Sequence, residues 1–123
     1  MIRNVVVGRL RPGANPAILD EALQRLLALP LDGLVEMHVG KDAGLRQGSW
    51  DYVITADFTD ADAYRAYDAD EEHNRVRREL FDVVSEEIAR VQFEIPDVQL
   101  RSHHEIDGES AWVEPPASQR RRR

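Results

Sequence analysis

Cysteine is absent from this 123-residue chain. Its absence excludes disulfides, thiol nucleophiles, thiolate zinc sites and cysteine-held iron–sulfur clusters, so any chemistry must come from histidine, tyrosine, acids or an acquired cofactor. Also missing is any apolar run near the roughly 20 residues needed to span a bilayer. The opening Met1-Ile2-Arg3-Asn4 runs into a strand-like segment without a signal-peptide core, so the expectation is a cytoplasmic protein with no membrane partner. A basic surplus is lacking too. The formal charge is −7, whereas phosphate backbones need a concentrated positive surface, and nucleic acid is not an expected partner. The one basic run, Arg120 to Arg123, follows Glu114-Pro115-Pro116-Ala117-Ser118, and residues 114–123 read as a solvated, disordered tail.

What is present suits a single folded domain. Hydrophobic residues make up 42% and charged residues 32% of the chain, a globular rather than disordered balance at a length that supports one core. Residues Ile2 to Leu10 carry the β-branched run Val5-Val6-Val7, which predicts a strand buried on both faces and ended by Arg11-Pro12-Gly13. Asn15 as N-cap and Pro16 in the first helical position start a helix that runs to about Leu29. Its apolar stripe is Ile18, Leu19, Ala22, Leu23, Leu26 and Leu27.

From Leu34 to Val39, Val35, Met37 and Val39 alternate with Glu36 and His38, the period of a second strand. After a polar loop, a third strand over Trp50 to Phe58 sets Tyr52, Ile54, Ala56 and Phe58 on one face. Thr59 and Asp62 have capping-box spacing, which predicts a short helix carrying Ala63, Tyr64 and Tyr67. A last helix begins near Asp70 to Glu72, with Val76, Leu80, Phe81, Val84 and Ile88 as its buried stripe. Val91, Phe93 and Ile95 then alternate with Gln92 and Glu94 in a fourth strand that stops at Pro96.

The order β-α-β-β-α-β, with the second crossover split into two helices, is the ferredoxin-like arrangement of an α+β fold. Helices cover one face of such a sheet, yet several strands are apolar on the other face as well. A second copy packed sheet to sheet would bury it, so a homodimer is the expected assembly.

Particular segments carry a resemblance. Met-Ile-Arg-Asn-Val-Val-Val-Gly-Arg-Leu-Arg-Pro-Gly over residues 1 to 13, Val39-Gly40-Lys41-Asp42, and Trp50-Asp51-Tyr52-Val53 through Phe58-Thr59-Asp60 are followed by Tyr64-x-x-Tyr67 ahead of His73. In that order and spacing, across residues 1 to 96, they resemble the stress-responsive A/B barrel (Dabb) family. The resemblance implies a dimeric α/β barrel. It extends to the family's polyketide cyclases of the olivetolic acid cyclase kind, which close a ring by an aldol reaction with no metal or organic cofactor. Tyr67 and His73 fall on positions that matter in those cyclases. Asn4 stands where they carry a strand histidine, and Asp70-Glu71 replaces their His-Pro pair.

His73 is the candidate catalytic base, because imidazole titrates near neutral pH. A helix N-terminus disfavours its charged form, while Asp70, Glu71 and Glu72 favour it, and the sequence leaves the balance open. Tyr67 is the second catalytic candidate, as a hydrogen-bond donor to a carbonyl or enolate oxygen, with core packing as its other reading. Asn4, Trp50 and Tyr64 are the candidate substrate-binding residues. His38 reads as a surface or interface residue. His103-His104 beside Glu105 and Asp107 is not expected to form a metal site, since adjacent histidines in extended chain point to opposite sides. Residues 97–113, with Val98, Leu100, Ile106 and Trp112, read as an arm or lid.

The expected function is that of a cofactor-free enzyme performing aldol-type cyclisation, dehydration or isomerisation on a polyketide-like or aromatic small molecule. The alternatives are a non-catalytic stress-responsive or ligand-binding barrel, and a cofactor-free monooxygenase of the related barrel type.

Overall fold

A computed structural model of the protein describes residues 1–97; the arm and tail expected over residues 97–113 and 114–123, with His103, His104 and Trp112, fall almost wholly outside them. The element order is β1 (Ile2–Leu10), α1 (Pro16–Leu27), β2 (Leu34–Lys41), β3 (Tyr52–Phe58), α2 (Ala61–Ala69), α3 (Glu71–Val76), a π turn (Arg77–Phe81), α4 (Asp82–Val84) and β4 (Ser85–Glu94). The four strands form one sheet in the order β2-β3-β1-β4, and every neighbouring pair is antiparallel. This is the ferredoxin-like α+β topology that the alternation and caps predict. Among the described residues, no helix is long and apolar enough to cross a membrane.

The pleat assigns each strand residue to a face. Tyr52, Ile54, Ala56 and Phe58 of β3 point at the helices and are buried with Leu19, Ala22, Leu23 and Leu26 of α1. Leu27, included in the predicted stripe, is 43% exposed. The intervening β3 residues Val53, Thr55 and Asp57 lie on the opposite face, in register with Val7, Val5 and Arg3 of β1. There the Arg3 guanidinium donates two hydrogen bonds to the Asp57 carboxylate, at 2.7 and 2.9 Å, and this pairing raises the Arg3 pKa. The same face carries Val91 and Phe93 of β4, 55% and 45% exposed, so β1 is covered by helices on one side only.

Caps follow the sequence at two of the three helix starts that it predicts. The Asn15 side chain accepts from the Ala17 amide with Pro16 at the first position of α1, and Asp70 accepts from the His73 amide at the start of α3. The capping box expected from Thr59 is corrected: Asp60 is the N-cap of α2 and accepts from Ala63. A carboxylate there satisfies the amide as a threonine hydroxyl would and adds a favourable charge at the helix start.

The last crossover departs most from expectation. The apolar spacing predicts Ile88 on a helix stripe, but the helix ends at Val84 and β4 begins at Ser85. Residues 85–90, Ser-Glu-Glu-Ile-Ala-Arg, have helical composition, and pairing with β1 overrides it. Leu10 opposes Ser85 and Gly8 opposes Ile88, while Arg11 donates its amide to the Val84 carbonyl at 2.8 Å. Local propensity of a few tenths of a kcal/mol per residue yields to a continuous ladder.

Tyr52 fixes that switch. Its ring crosses β1 at Gly8 to place the hydroxyl 2.8 Å from Ser85 Oγ, in a buried contact. A Cβ at position 8 would lie 1.9 Å from the tyrosine ring, so only glycine permits the crossing. Gly8→Ala should therefore lower unfolding free energy by about 2 kcal/mol or more by overpacking. Urea denaturation of the variant measures this, and an unchanged midpoint would refute the steric argument.

Candidate functional site

Between the helix layer and the β1–β4 half of the sheet lies a cavity of about 260 Å³. Its apolar floor comes from Val6, Ile54 and Ile88 with Leu26 and Phe81. Its polar wall holds three of the residues singled out from the sequence on two consecutive helices, Tyr64 and Tyr67 of α2 and His73 of α3, and a fourth, Asn4, on β1. Trp50 is not part of it. That residue precedes β3, where the Arg9 guanidinium stacks on the indole 4.3 Å from its centroid, and Arg9 belongs to the helix-free side of the sheet by the β1 alternation. Of the three residues expected to bind substrate, Trp50 therefore stands apart from the cavity that Asn4 and Tyr64 line, because the pleat sends its partner Arg9 to the other side of the sheet.

Two turns of helix meet at this point. α2 ends as Asp70 adopts an extended backbone (φ −63°, ψ 131°), and Asp70 at once caps α3. The break folds His73 back onto Tyr67, with ring centroids 4.1 Å apart. Tyr67 is 4% exposed and also touches Phe58 at 5.0 Å and Tyr64 at 6.2 Å. It is therefore both core aromatic and cavity wall. Burial pushes its phenol far above the ordinary value, so it stays protonated and can act only as a neutral donor or acceptor.

His73 is half-buried, and burial, the largest influence, pushes its pKa below the usual imidazole value, aided by the Arg77 charge and opposed by the Asn74 contact and by Asp68 and Asp70. The competition left open by the sequence is settled by desolvation. Nδ1 lies 3.1 Å from Asn74 Oδ1. With that oxygen as acceptor, Nδ1 carries the proton and Nε2 is the basic nitrogen.

Asn4 is a polar side chain 2% exposed in the middle of β1. Gln92 on β4, its register partner, donates from Nε2 to Asn4 Oδ1 at 2.8 Å. With its oxygen engaged, the amide N–H groups are what Asn4 can offer a bound molecule.

Sequence reading missed Arg77, Asp68 and Arg90, which complete the polar wall. Arg77 sits four residues after His73, a spacing that shares a helix face. An ideal α-helix would carry position 81 about 80° past position 73. The π turn, closed by the Asp82 amide donating to the Arg77 carbonyl, is wider and takes back part of that rotation, so Phe81 stays under the same wall. Arg90 was illegible because β4 was expected to begin only after it. His38, by contrast, is exposed and pairs with Glu36 at 2.9 Å, a surface position on the helix-free face. Among the described residues, no three histidine or acidic side chains converge as metal ligands.

The lowered His73 pKa has a signed consequence. The unfolded chain takes up a proton near the ordinary value of about 6.5, the folded one only at lower pH, so stability is full above pH 6.5 and falls as pH drops through the window below it. NMR titration of His73 should give a midpoint below the ordinary imidazole value of about 6.5, and His73→Phe should flatten the decline of melting temperature between neutral pH and pH 5. A midpoint at or above the ordinary value would contradict the burial argument.

Similar structures share this architecture. A dimeric ferredoxin-like protein of unknown function from Thermobifida fusca is 24% identical, with a TM-score of 0.68 over 76% of this chain and 90% of that one. Another of the same description from Jannaschia is 26% identical, with a TM-score of 0.66 over 76% of this chain and 98% of that one. The hydroxynitrile lyase from Passiflora edulis, 16% identical with a TM-score of 0.66 over 79% and 94% of the two chains, shares the fold. No curated protein sequence matches the chain. The family model described as the Stress responsive A/B Barrel Domain (Dabb) matches residues 2–95, and the chain belongs to that family.

Proposed function

We propose that this protein is a homodimeric enzyme, working without a cofactor, that uses His73 as general base on a carbonyl-containing small molecule. The observation that carries the reading is the pairing of a desolvated, neutral imidazole with a protonated phenol, 4.1 Å between ring centroids, on the wall of a cavity of about 260 Å³. Base and donor differ in proton affinity because burial lowers one and raises the other, the separation that assigns acid–base roles.

The chemistry this suits is aldol-type. Nε2 of His73 removes a proton from carbon beside a carbonyl, and the electron pair moves onto the carbonyl oxygen. Tyr67 Oη and the Asn4 N–H groups then donate to that enolate oxygen, charge that exists only once the proton has left. The enolate carbon attacks a second carbonyl of the same molecule, and the proton on His73 passes to the new alkoxide. Loss of water from that product would give the ring of a polyketide-like or aromatic compound. Tyr64, with its phenol also raised by burial, borders the substrate.

Dimerisation rests on the helix-free face. Val5, Val7, Val53, Val91 and Phe93 line it around the Arg3–Asp57 pair, and similar structures from Thermobifida fusca and Jannaschia are described as dimeric. Completing the burial of Val91 and Phe93 would contribute roughly 1 kcal/mol for each half-exposed side chain. A charge placed there would oppose association without entering the protomer core.

Two measurements test the proposal. Short poly-β-keto acids, followed by absorbance of the aromatic product, should be turned over by the native protein and at least about 100-fold more slowly by His73→Ala, with dimer mass and melting temperature nearly unchanged. Equal rates would end the catalytic reading, and binding without turnover by the native protein would favour a ligand-binding barrel. Sedimentation should give the mass of two chains at micromolar concentration and of one chain for Phe93→Glu; a native mass near one chain would refute the dimer.

A further inference from the structure

β4 presents Ile88, Arg90 and Gln92 to the side of the sheet that the helices cover, opposite Gly8, Val6 and Asn4 of β1. The first suits that environment and the third is engaged by Asn4. Arg90 is the exception: a cation on the cavity wall with no carboxylate within 4.0 Å among the described residues, whereas Arg77 on the same wall is paired with Asp82 at 3.3 Å. Arg90 is solvent-exposed and so stands at the open side of the cavity, where its free guanidinium can form a charge-assisted pair with an anionic group of a ligand lying over the apolar floor.

The other polar groups point the same way. Asn4 has only its N–H groups to offer, Tyr64 and Tyr67 keep their protons, and no hydrogen bond from either hydroxyl is formed among the described residues. Donors come from Asn4, Tyr64, Tyr67, Arg77 and Arg90, and acceptors from the basic nitrogen of His73, the Asp68 carboxylate and the Asn74 amide oxygen, the last already engaged by His73 Nδ1. With Arg77 held by Asp82, Arg90 is the cation on the wall that lacks an ion-pair partner among the described residues.

We infer that the molecule bound in this cavity carries a carboxylate, and that Arg90 is the residue that selects it. The planar guanidinium fork matches the two oxygens of a carboxylate. The inference rests on the cavity being the substrate site of the proposed enzyme and narrows its substrate class to keto acids, with aromatic hydroxy acids as the products they would give. Anchoring the carboxylate at β4 would leave the remainder of the molecule over Val6 and Ile54, toward the donors and His73.

Calorimetric titration with two matched pairs, salicylate and methyl salicylate, levulinate and methyl levulinate, provides the test. The native protein should bind at least one acid about ten-fold or more tightly than its ester, the worth of a charge-assisted contact. Arg90→Gln should abolish that preference while leaving ester affinity and melting temperature unchanged. His73→Ala should retain the preference, which separates failure of the acid–base reading from failure of this one. Equal affinity of acid and ester, absence of binding by both pairs, a preference that survives Arg90→Gln, or tighter binding of phenyl phosphate than of salicylate would each overturn the carboxylate assignment.

Discussion

A buried contact between two hydroxyls governs where the last helix stops. Tyr52 reaches from β3 across Gly8 to Ser85, 2.8 Å away, and desolvation raises its phenol pKa despite that bond. Burying both hydroxyls without the contact would leave each unsatisfied at a cost of about 1–3 kcal/mol. Position 85 is thus held against β3 and β1, the chain turns extended there, and the register of β4 on β1 follows. From that register comes the rest: Ile88, Arg90 and Gln92 face the helices, while Ala89, Val91 and Phe93 face the opposite way. A shift of one residue would exchange the two sets.

The same register divides labour between the two faces. One face, closed by helices, keeps a cavity lined by Asn4 of β1 and by the side chains that the break at Asp70 brings together where α3 folds against α2. The other face stays largely apolar around a bidentate Arg3–Asp57 pair. Buried ion pairs of that kind contribute little net stability once desolvation is counted, but an unmatched charge there is costly. A partner packed on this face must accommodate that polar centre, which restricts how two copies can meet.

His73 illustrates how burial and charge compete. Three nearby groups, Asn74, Asp68 and Asp70, favour the imidazolium, yet removal from water and Arg77 prevail. Beside it, removal from water acts on Tyr67 in the opposite direction, since its charged form is the deprotonated one. One environment thereby holds a neutral acceptor and a neutral donor side by side, which neither residue type would guarantee in isolation.

Much of this was legible in the chain itself. The Val5-Val6-Val7 run, the Asn15-Pro16 start of α1, the alternation over Tyr52 to Phe58 and the acids at Asp70 to Glu72 each act through neighbours a few residues away, and such local rules can be read in order along a sequence. The candidates His73, Tyr67, Tyr64 and Asn4 could be named because their chemistry and their resemblance to the family are carried by residue type and spacing. Their convergence, the start of β4 at Ser85, the exclusion of Trp50 and the presence of Arg90 on the wall were decided by tertiary structure alone. Each depends on contacts between segments far apart in the chain, from the 33 positions that separate Tyr52 and Ser85 to the 88 that separate Asn4 and Gln92. There the free energy of a ladder and of a matched hydroxyl pair exceeds the helical preference of Ser85 to Arg90, and no local pattern records which will prevail.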